Sequence, residues 1–301
     1  MTFVTLFSAP KPFTNPHIAT IQRNAIRSWL ALGADVQVIL IGDEEGLHEV
    51  ADEFGVLLIP EVQRNEQGTP LVSSIFSLAR RASTSPLLAY VNGDILLLPD
   101  FIQASQQVAQ QLEHFLMVSS RWDMKIDHLL DFSDNWQARL LAELRQGGRR
   151  HPPAGSDVFV FPRTEFTQLP DFAIGRAGWD NWMIYHARQN RLAVVDASRA
   201  MTVIHQDHDY SHLPAGKPHY DLPESQQNMR LGGGAGAMYT ILDSDKRLID
   251  GKITHAGRSL LHLSRRLELW LMPESRPRQG WRWAIARKLR RWRRNQTQGK
   301  G

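Results

Sequence analysis

The first hundred residues alternate between short apolar runs and longer amphipathic segments. Four apolar runs bounded by polar turns predict buried strands: FVTLF, DVQVILIG, VLLIP and PLLAYVNGD. The segments between them repeat apolar residues at helical spacing: NPHIATIQRNAIRSWLAL, EEGLHEVADEFG and LVSSIFSLARRAS. Asn15 and Pro16 suit the cap and first turn of the first helix, and Gly33 suits its end.

Strands separated by helices of this length predict a doubly wound α/β domain, with a mostly parallel sheet covered by helices on both faces. Ligands of such sheets gather at the carboxyl ends of the strands. Polar segments follow each of the four strands there: SAPKPF, GDEEG, EVQRNEQG and NGD. The GxGxxG and GxxxxGK[ST] phosphate motifs do not follow the first strand, so a nucleotide would be held in another way.

The second half of the chain has a less regular pattern. It predicts a helix in HLLDFSDNWQARLLAELRQGG, a strand in SDVFVFP and a helix in GWDNWMIYHARQN. LAVVDASRAMTVIHQDHDYSH predicts two short strands that end in a histidine-rich turn. The glycines of LGGGAGAM predict a flexible segment or a close approach to another backbone.

Composition narrows the class of protein. The chain is 42% hydrophobic and 22% charged, which is typical of a globular protein. No apolar stretch approaches the roughly 18 to 20 residues that cross a bilayer, and the N-terminus lacks a signal-peptide pattern. We therefore expect a soluble or peripheral cytoplasmic protein. The absence of cysteine leaves His, Asp, Glu and Asn as metal ligands.

Charge divides the chain into two parts. Residues 1–257 carry 22 Lys or Arg and 29 Asp or Glu, a net charge of −7. Residues 258–301 carry 13 Lys or Arg and 2 Asp or Glu, a net charge of +11. We predict a main domain over 1–257 and a basic tail over 258–301. The acidic main domain argues against a nucleic-acid-binding protein.

The tail segment GWRWAIARKLRRWRRN predicts an amphipathic helix. Its apolar stripe consists of Trp281, Ile285, Leu289 and Trp292. Arginines off that stripe are Arg282, Arg290, Arg293 and Arg294. This pattern favours the surface of an anionic membrane, on its inner face, with the arginines on lipid phosphates. The alternatives are that the stripe docks on the main domain or that the tail binds nucleic acid.

The strand PLLAYVNGD ends in two oxygen-bearing side chains. Asn92 and Asp94 lie two residues apart, so in an extended segment they point the same way. Such a pair suits a divalent cation that carries a phosphate-bearing ligand. A tight turn at Asn-Gly is the simpler alternative.

The segment AYVNGDILLLPDF, with NEQGTPLVSSIFSLARRASTSPLL before it, resembles the Asp-x-Asp motif of GT-A fold glycosyltransferases and the approach to it. The resemblance covers roughly residues 1–210. It implies a nucleotide-diphosphate sugar donor and Mn²⁺ or Mg²⁺, with Asn92, Gly93 and Asp94 at the diphosphate. This chain departs from the motif at Asn92, whose amide supplies an oxygen ligand but no negative charge.

The same resemblance implies further donor-binding residues over the ends of the first strands. These are Pro10, Lys11, Asp43 and Arg64. A lysine at such a position is otherwise a solvated surface charge.

The segment AIGRAGWDNWM resembles the acceptor-side motif of these enzymes. The resemblance implies Asp180 as the catalytic base, because an apolar setting raises the pKa of a carboxylate toward that of a useful base. It implies Trp179, Asn181 and Trp182 as acceptor-binding residues. The alternative is a helix-capping Asp180 between two core indoles.

The segment VIHQDHDYSH is the densest cluster of metal-ligand types in the chain. It contains His205, Asp207, His208, Asp209 and His212. Imidazole binds Mn²⁺ or Zn²⁺ readily, whereas Mg²⁺ prefers oxygen. The resemblance implies that His205 or His208 completes the metal shell. A zinc hydrolase is the alternative, but the HExxH motif is missing.

Together these features predict an inverting, metal-assisted glycosyltransferase that moves a sugar to a hydroxyl of a glycan or a lipid-linked acceptor. A nucleotidyltransferase would share the cation and the nucleotide cleft but would release pyrophosphate. A non-catalytic sugar-binding or membrane-associated protein is the third hypothesis, which Asn92 favours.

Overall fold

The structure is a computed structural model that describes residues 2–208, 222–257, 259–273 and 279–298. Its strands are β1 (Val4–Ser8), β2 (Val36–Ile41), β3 (Leu57–Ile59), β4 (Leu87–Val91), β5 (Ile95–Leu97), β6 (Phe115–Val118), β7 (Trp122–Met124), β8 (Arg149–Arg150), β9 (Val158–Pro162), β10 (Ala193–Asp196), β11 (Val203–Gln206), β12 (Lys246–Ile249) and β13 (Lys252–His255). Its α-helices are α1 (Pro16–Leu30), α2 (Leu47–Phe54), α3 (Val72–Ala82), α4 (Asp100–Ala109), α5 (Trp136–Gly147), α6 (Trp179–Gln189), α7 (Pro223–Leu231), α8 (Leu260–Leu271) and α9 (Gly280–Gln298).

A nine-stranded sheet runs through the main domain in the order β13-β12-β10-β6-β9-β4-β1-β2-β3. Its pairs β2–β3, β1–β2, β1–β4, β6–β10 and β10–β12 are parallel, which confirms the mostly parallel sheet. Strand β9 is antiparallel to both β4 and β6, and Val158 at its start pairs with Val91 at the end of β4. The start of β9 therefore lies at the same sheet edge as the carboxyl ends of its neighbours.

Alternating side chains of the central strands belong to two hydrophobic cores, one on each face of the sheet. In β1, Leu6 belongs to the core formed with α1, α2 and α4, whereas Phe7 belongs to the core formed with α3 and α6. This period of two is what buries both faces of a strand. Helices thus cover both faces, which confirms the doubly wound architecture.

Helix α1 forms as predicted. The side chain of Asn15 accepts hydrogen bonds from the backbone N–H groups of His17 and Ile18, at 2.9 and 3.1 Å. Its buried face carries Trp29, whose indole N–H donates to the carbonyl of Ile95 at 2.9 Å. The helix is thereby fixed against the segment that follows β4.

A second, four-stranded sheet in the order β5-β11-β7-β8 extends this edge of the domain. Leu96, Ile204 and Leu140 share its core, so α5 covers one of its faces. Strand β11 pairs antiparallel with β5, and the register sets His205 opposite Ile95. This register brings His205 beside Asp94.

One expectation for the second half differs from the structure, and another lies partly outside the described residues. The predicted helix from His128 begins only at Trp136, because Asp131 instead accepts hydrogen bonds from the N–H and hydroxyl of Ser133 and forms a turn. The histidine-rich turn lies partly outside the described residues, which end at His208 and resume at Leu222. Asp209 and His212 fall in that gap.

Helices α8 and α9 pack against each other through buried charge. Glu268 of α8 is 1% exposed and contacts Arg265, Arg290 and Arg293. Arg265 also pairs with Asp243 at 3.0 Å, which ties α8 to the main domain. No helix among the described residues is long and apolar enough to cross a membrane.

Candidate active site

Asp94 lies at the centre of a cluster at the carboxyl edge of the sheet. Its Oδ2 is 3.1 Å from Nε2 of His208 and 3.7 Å from Nε2 of His205. The Nζ of Lys11 is 3.5 Å from the same nitrogen of His208. Four residues predicted from three separate segments thus meet at one place.

Asp94 is ionised despite its burial. Desolvation by itself raises its pKa, but His205, His208 and Lys11 together hold the pKa well below its usual range. The backbone of Asp94 is fixed as well, because its carbonyl accepts hydrogen bonds from both the N–H and the side-chain amide of Gln206, each at 3.2 Å.

His205 lies between Asp94 on one side and two further carboxylates on the other. Its Nδ1 lies 3.2 Å from Oδ1 of Asp123 and 3.5 Å from Oδ1 of Asp207, on the side away from Asp94. Burial disfavours its charged form, but Asp94, Asp123 and Asp207 outweigh this effect and raise the pKa of His205 to about 11. With no cation bound, His205 is therefore protonated and balances the carboxylates.

The donor set fits a divalent metal ion. Oδ1 of Asp94 is buried and has no hydrogen-bond partner among the described residues. Asp94, His205 and His208 place ligand atoms within 4.8 Å of one another, as do Asp123, His205 and Asp207. Mixed carboxylate and imidazole ligands suit Mn²⁺ better than Mg²⁺.

Asn92 is held by a carboxylate that sequence analysis missed. Its amide nitrogen donates to Oδ1 of Asp157 at 2.8 Å, and its backbone N–H donates to the carbonyl of Asp157 at 3.1 Å. The amide N–H groups face Asp157, so the oxygen of Asn92 is left to act as an acceptor or ligand.

Arg121 joins this carboxylate to the histidine cluster. Its guanidinium donates to both oxygens of Asp157, at 2.8 and 2.9 Å, and to Oδ1 of Asp123 at 2.9 Å. The second oxygen of Asp123 lies 2.7 Å from Nδ1 of His151. These four residues form a continuous polar network between Asn92 and His205.

The topology of the two sheets explains why sequence analysis missed these residues. Asp157 immediately precedes β9, and a residue before a strand lies at the carboxyl edge of a parallel sheet only when that strand runs antiparallel. Asp123 lies in β7 of the small sheet and Arg121 immediately precedes that strand, and the sequence pattern did not separate the small sheet from the main one. The polar residues of SRWD and of SDVFVFP were the available signal.

The first loop approaches the Asp94 segment closely. A Cβ on Gly93 would lie 3.1 Å from Oε1 of Gln22, and Gln22 in turn bonds both backbone groups of Lys11, at 2.7 and 2.9 Å. Pro10 is buried beside Gly93. Pro10 therefore shapes the loop beside Gly93, and its contact with a donor stays a prediction.

Lys11 lies beside the Asp94 cluster, with its Nζ next to His208. Burial lowers the pKa of its ammonium group, and Asp94 opposes this while Arg176 adds to it. Arg176 pairs with Glu224 at 2.6 Å and was not anticipated from the sequence. The donor-binding role of Lys11 stays a prediction.

Asp43 and Arg64 contact each other beyond the end of β2. The Arg64 guanidinium binds the carboxylate of Asp43, Oε1 of Glu44 at 2.9 Å and the carbonyl of Gly68 at 2.8 Å. These carboxylates raise the pKa of Arg64 against the opposing effect of burial. The described contacts of this pair do not include the Asp94 cluster.

Asp180 is the second residue of α6. Gly178, with a φ of +110°, caps the helix, and its N–H donates to Oδ1 of Asp180 at 3.3 Å. Burial is the main cause that raises the pKa of Asp180 to about 6, and the charge of Asp157 adds to it. A Cβ on Gly155 would lie 2.1 Å from Oδ2 of Asp180, so a side chain at this position would have to displace the carboxylate.

The flanking indoles pack in the core. Trp179 is 5% exposed and packs edge-on against Tyr90 at 5.0 Å. Trp182 is 7% exposed and stacks on His186 at 4.4 Å. Asn181 donates to the carbonyl of Tyr239 at 2.6 Å. This packing matches the alternative of two core indoles beside Asp180, and the acceptor-binding role of the three residues stays a prediction.

Comparison with solved structures identifies the fold of this chain. Residues 1–349 of S. aureus TarS, in complex with UDP-GlcNAc, superpose with a TM-score of 0.50 at 10% identity, over 77% of this chain and 66% of that one. The chain has a GT-A-like fold. At 10% identity the similarity concerns the fold, and it confirms the fold predicted from the Asn-Gly-Asp segment and its flanks.

Two further structures are similar at lower scores. The mannosyltransferase PcManGT from Pyrobaculum calidifontis, in complex with GDP-Man and Mn²⁺, gives 0.44 at 12% identity over 69% of this chain and 58% of that one. Glucosyl-3-phosphoglycerate synthase from Mycobacterium tuberculosis, in complex with Mn²⁺, UDP and phosphoglyceric acid, gives 0.47 at 17% identity over 86% and 88%. The chain thus spans less than two thirds of TarS and PcManGT. No protein-family profile and no curated protein matches the sequence.

Proposed function

We propose that this protein is a nucleotide-sugar-dependent glycosyltransferase whose donor diphosphate binds at Asp94. The observation that carries the proposal is the buried, unpartnered Oδ1 of Asp94 beside His205, His208 and Lys11 at the carboxyl edge of the sheet. The complex of TarS with UDP-GlcNAc, a chain of the same fold, supports a nucleotide-sugar donor.

Asp94, His208 and His205 would hold the metal ion, for which their ligand types favour Mn²⁺. A divalent ion there supplies positive charge to the leaving diphosphate. Lys11 adds a second positive charge beside it. Asn92 contributes an amide oxygen rather than a carboxylate, and Asp157 holds that amide in place.

Asp180 would act as the base that removes the proton of the acceptor hydroxyl. Its pKa of about 6 makes it ionised yet still a useful proton acceptor near neutral pH. Its oxygen neighbours Gly155, and its pKa responds to Asp157, so it faces the network that holds Asn92. Attack opposite the leaving diphosphate would invert the anomeric carbon.

A turnover assay with a panel of radiolabelled nucleotide sugars and Mn²⁺ tests this function. We expect hydrolysis or transfer by the wild type, and loss of it in Asp94→Asn. Asp171→Asn, which alters an exposed carboxylate in the loop before α6, serves as the control. Release of pyrophosphate would instead identify a nucleotidyltransferase, and binding without turnover a non-catalytic sugar-binding protein.

We also propose that α8 and α9 bind an anionic membrane surface. Leu260, Leu263, Leu267 and Trp270 are exposed on α8 at spacings of three, four and three residues. Exposed apolar residues of α9 are Trp281, Ile285 and Trp292. The same helix also carries three exposed cations, Arg287, Lys288 and Arg291. Exposed apolar side chains together with cations favour binding to an anionic membrane surface.

Two arginines of the predicted polar face of α9 contact α8. Arg290 and Arg293 both bind Glu268; Arg293 is buried, whereas the side chain of Arg290 remains 42% exposed. In the apolar stripe predicted for the tail, Trp281, Ile285 and Trp292 are exposed.

Vesicle flotation tests this membrane proposal. We expect the wild type to float with vesicles of phosphatidylcholine and phosphatidylglycerol, and a Trp270→Ala, Trp281→Ala double variant to remain in solution. Leu57→Ala, Leu129→Ala removes two exposed apolar side chains elsewhere and should float like the wild type. Equal flotation of both double variants would contradict the proposal.

A further inference from the structure

A cavity of about 680 Å³ lies beside the candidate active site, between α5, the small sheet, β12 and the start of α8. Its size is that of a small-molecule site. Four arginines line it: Arg145, Arg150, Arg199 and Arg247. Asp196 is the one carboxylate among the described residues that line it. With neutral histidines the lining therefore carries a net charge of +3, which favours an anionic ligand.

Several of these guanidinium groups retain donors for a ligand. The Nε of Arg247 is buried without a hydrogen-bond partner among the described residues, and it lies 3.6 Å from Asp196. Arg145 and Arg199 form no ion pair within the described part of the chain. Arg150 is oriented over the ring of Trp122 at 5.1 Å and bonds the Ser120 hydroxyl at 2.8 Å. Guanidinium groups placed in this way suit the oxygens of a phosphate.

The first turn of α8 adds backbone donors to the same cavity. Ser259 precedes the helix, but its hydroxyl lies 2.7 Å from Nδ1 of His262 and makes no capping bond. The N–H groups that begin a helix lack intrahelical partners and attract negative charge. Ser259, Leu261 and His262 all line the cavity.

Part of the remaining lining is apolar. Leu144, Ile241 and Leu248 contribute side chains to the wall, as does Leu261. The neighbour of Leu261, Leu260, is 71% exposed and begins the apolar stripe of α8. Arginines next to an apolar wall match a phosphate group that is attached to an apolar moiety.

A short loop separates this cavity from the proposed base. His151 and Pro153 line the cavity, whereas Gly155 of the same loop lies against the carboxylate of Asp180. His151 also contacts Asp123 of the histidine cluster at 2.7 Å. A ligand anchored in the cavity would thus lie next to the machinery for sugar transfer.

We propose that this cavity binds the phosphate group of a phosphorylated, apolar acceptor, an inference that rests on the proposed glycosyltransferase function. The four arginines and the start of α8 hold the phosphate, and the apolar wall holds the adjoining hydrocarbon. The acceptor is then an amphiphile rather than a free sugar.

Calorimetric titration of the full chain in EDTA tests the site, because EDTA prevents phosphate from binding through a cation at Asp94. The probes are short-chain dioctanoyl phosphatidic acid below its micellar concentration and glycerol 3-phosphate. We expect both to bind, the lipid at least tenfold more tightly. In Arg145→Ala, Arg199→Ala we expect the affinity for both to fall at least tenfold.

The control variant is Arg81→Ala, Lys252→Ala, which removes the same charge from two exposed positions elsewhere and should bind like the wild type. Equal loss in both variants, or no saturable binding by the wild type, would overturn the site. Equal affinity for the two probes would contradict the proposal that the acceptor is an amphiphile. Failure of the proposed function is distinguishable from failure of this site, because the wild type would then show no nucleotide-sugar hydrolysis while both probes still bind.

Discussion

Burial gives Asp180 an acid–base behaviour that differs from that of the other carboxylates of the site. Asp94 has two histidines and a lysine nearby, which hold its pKa low, whereas the pKa of Asp180 rises to about 6. A base must be deprotonated, so turnover should depend on this titration. The dependence provides a direct test of the role of Asp180.

We expect kcat/KM for nucleotide-sugar hydrolysis, in which water replaces the acceptor, to fall with decreasing pH below about 6. In Asp180→Asn we expect a rate about 10² to 10⁴ times lower, without this pH dependence. Stopped assays between pH 5 and pH 8 measure both. An unchanged profile in the variant would remove Asp180 from the mechanism.

The same group should make stability depend on pH. Because the pKa of Asp180 is raised on folding, its contribution is most favourable below the unfolded pKa of about 3.9 and is lost as pH rises through about 6. Asp180→Asn should therefore be more stable than the wild type at pH 8, by on the order of 2 kcal/mol. Urea unfolding at pH 8 measures the difference; a less stable variant would contradict the assigned pKa.

Gly155 tests whether the position of the Asp180 carboxylate matters. A Cβ in Gly155→Ala would lie 2.1 Å from Oδ2 of Asp180 and must displace it. We expect turnover to fall about tenfold to a hundredfold, with binding of nucleotide and Mn²⁺ retained. Gly147→Ala is the control, because nothing lies within 4 Å of its added Cβ. Equal activity of the two variants would count against the proposed geometry.

Residue types alone identified part of the site. Asp94, His205 and His208 were predicted because carboxylate and imidazole are distinctive ligand types near a strand end. The spacing of Trp179 and Trp182 is the same for a sugar platform and for a core helix, and only the packing against Tyr90 and His186 distinguishes them. A sequence carries no record of that packing.

At the scale of elements, the regular first half was predictable and strand direction was not. Period-two and period-3.6 patterns located β1 through β4 and α1 through α3 near their observed bounds. The direction of β9 depends on where the chain crosses the sheet, which its own residues do not encode. Asp157 was missed for that reason, although it holds Asn92.

The pairing of α8 and α9 depends on one buried carboxylate. Glu268 contacts three arginines, which hold its pKa below its usual range despite burial. Glu268→Gln would remove the carboxylate that faces the buried guanidinium of Arg293, whereas Arg265 keeps its pair with Asp243, so we expect a loss of about 3 kcal/mol in the free energy of unfolding. Urea denaturation measures it, with the exposed Glu143→Gln as the control. An equally stable Glu268→Gln would show that packing, not charge, holds the helices together.

For the whole molecule, the order of short motifs predicted more than any one of them. The Asn-Gly-Asp segment, the loop and helix before it and the late histidines each have simpler explanations, but together they predicted the GT-A-like fold that the TarS comparison supports. The separation of charge between the main domain and the tail was also evident from the sequence. The arginine-lined cavity was not, because six separate segments form it.

The central claim is that a cation and a diphosphate bind together at Asp94. A crystal soaked with MnCl₂ and UDP, measured at the manganese absorption edge, tests it most directly. We predict an anomalous peak within coordination distance of Asp94 Oδ1 and of His208 or His205, with diphosphate oxygens on its other side. Manganese and nucleotide bound elsewhere, with Asp94 left without a metal, would contradict the account.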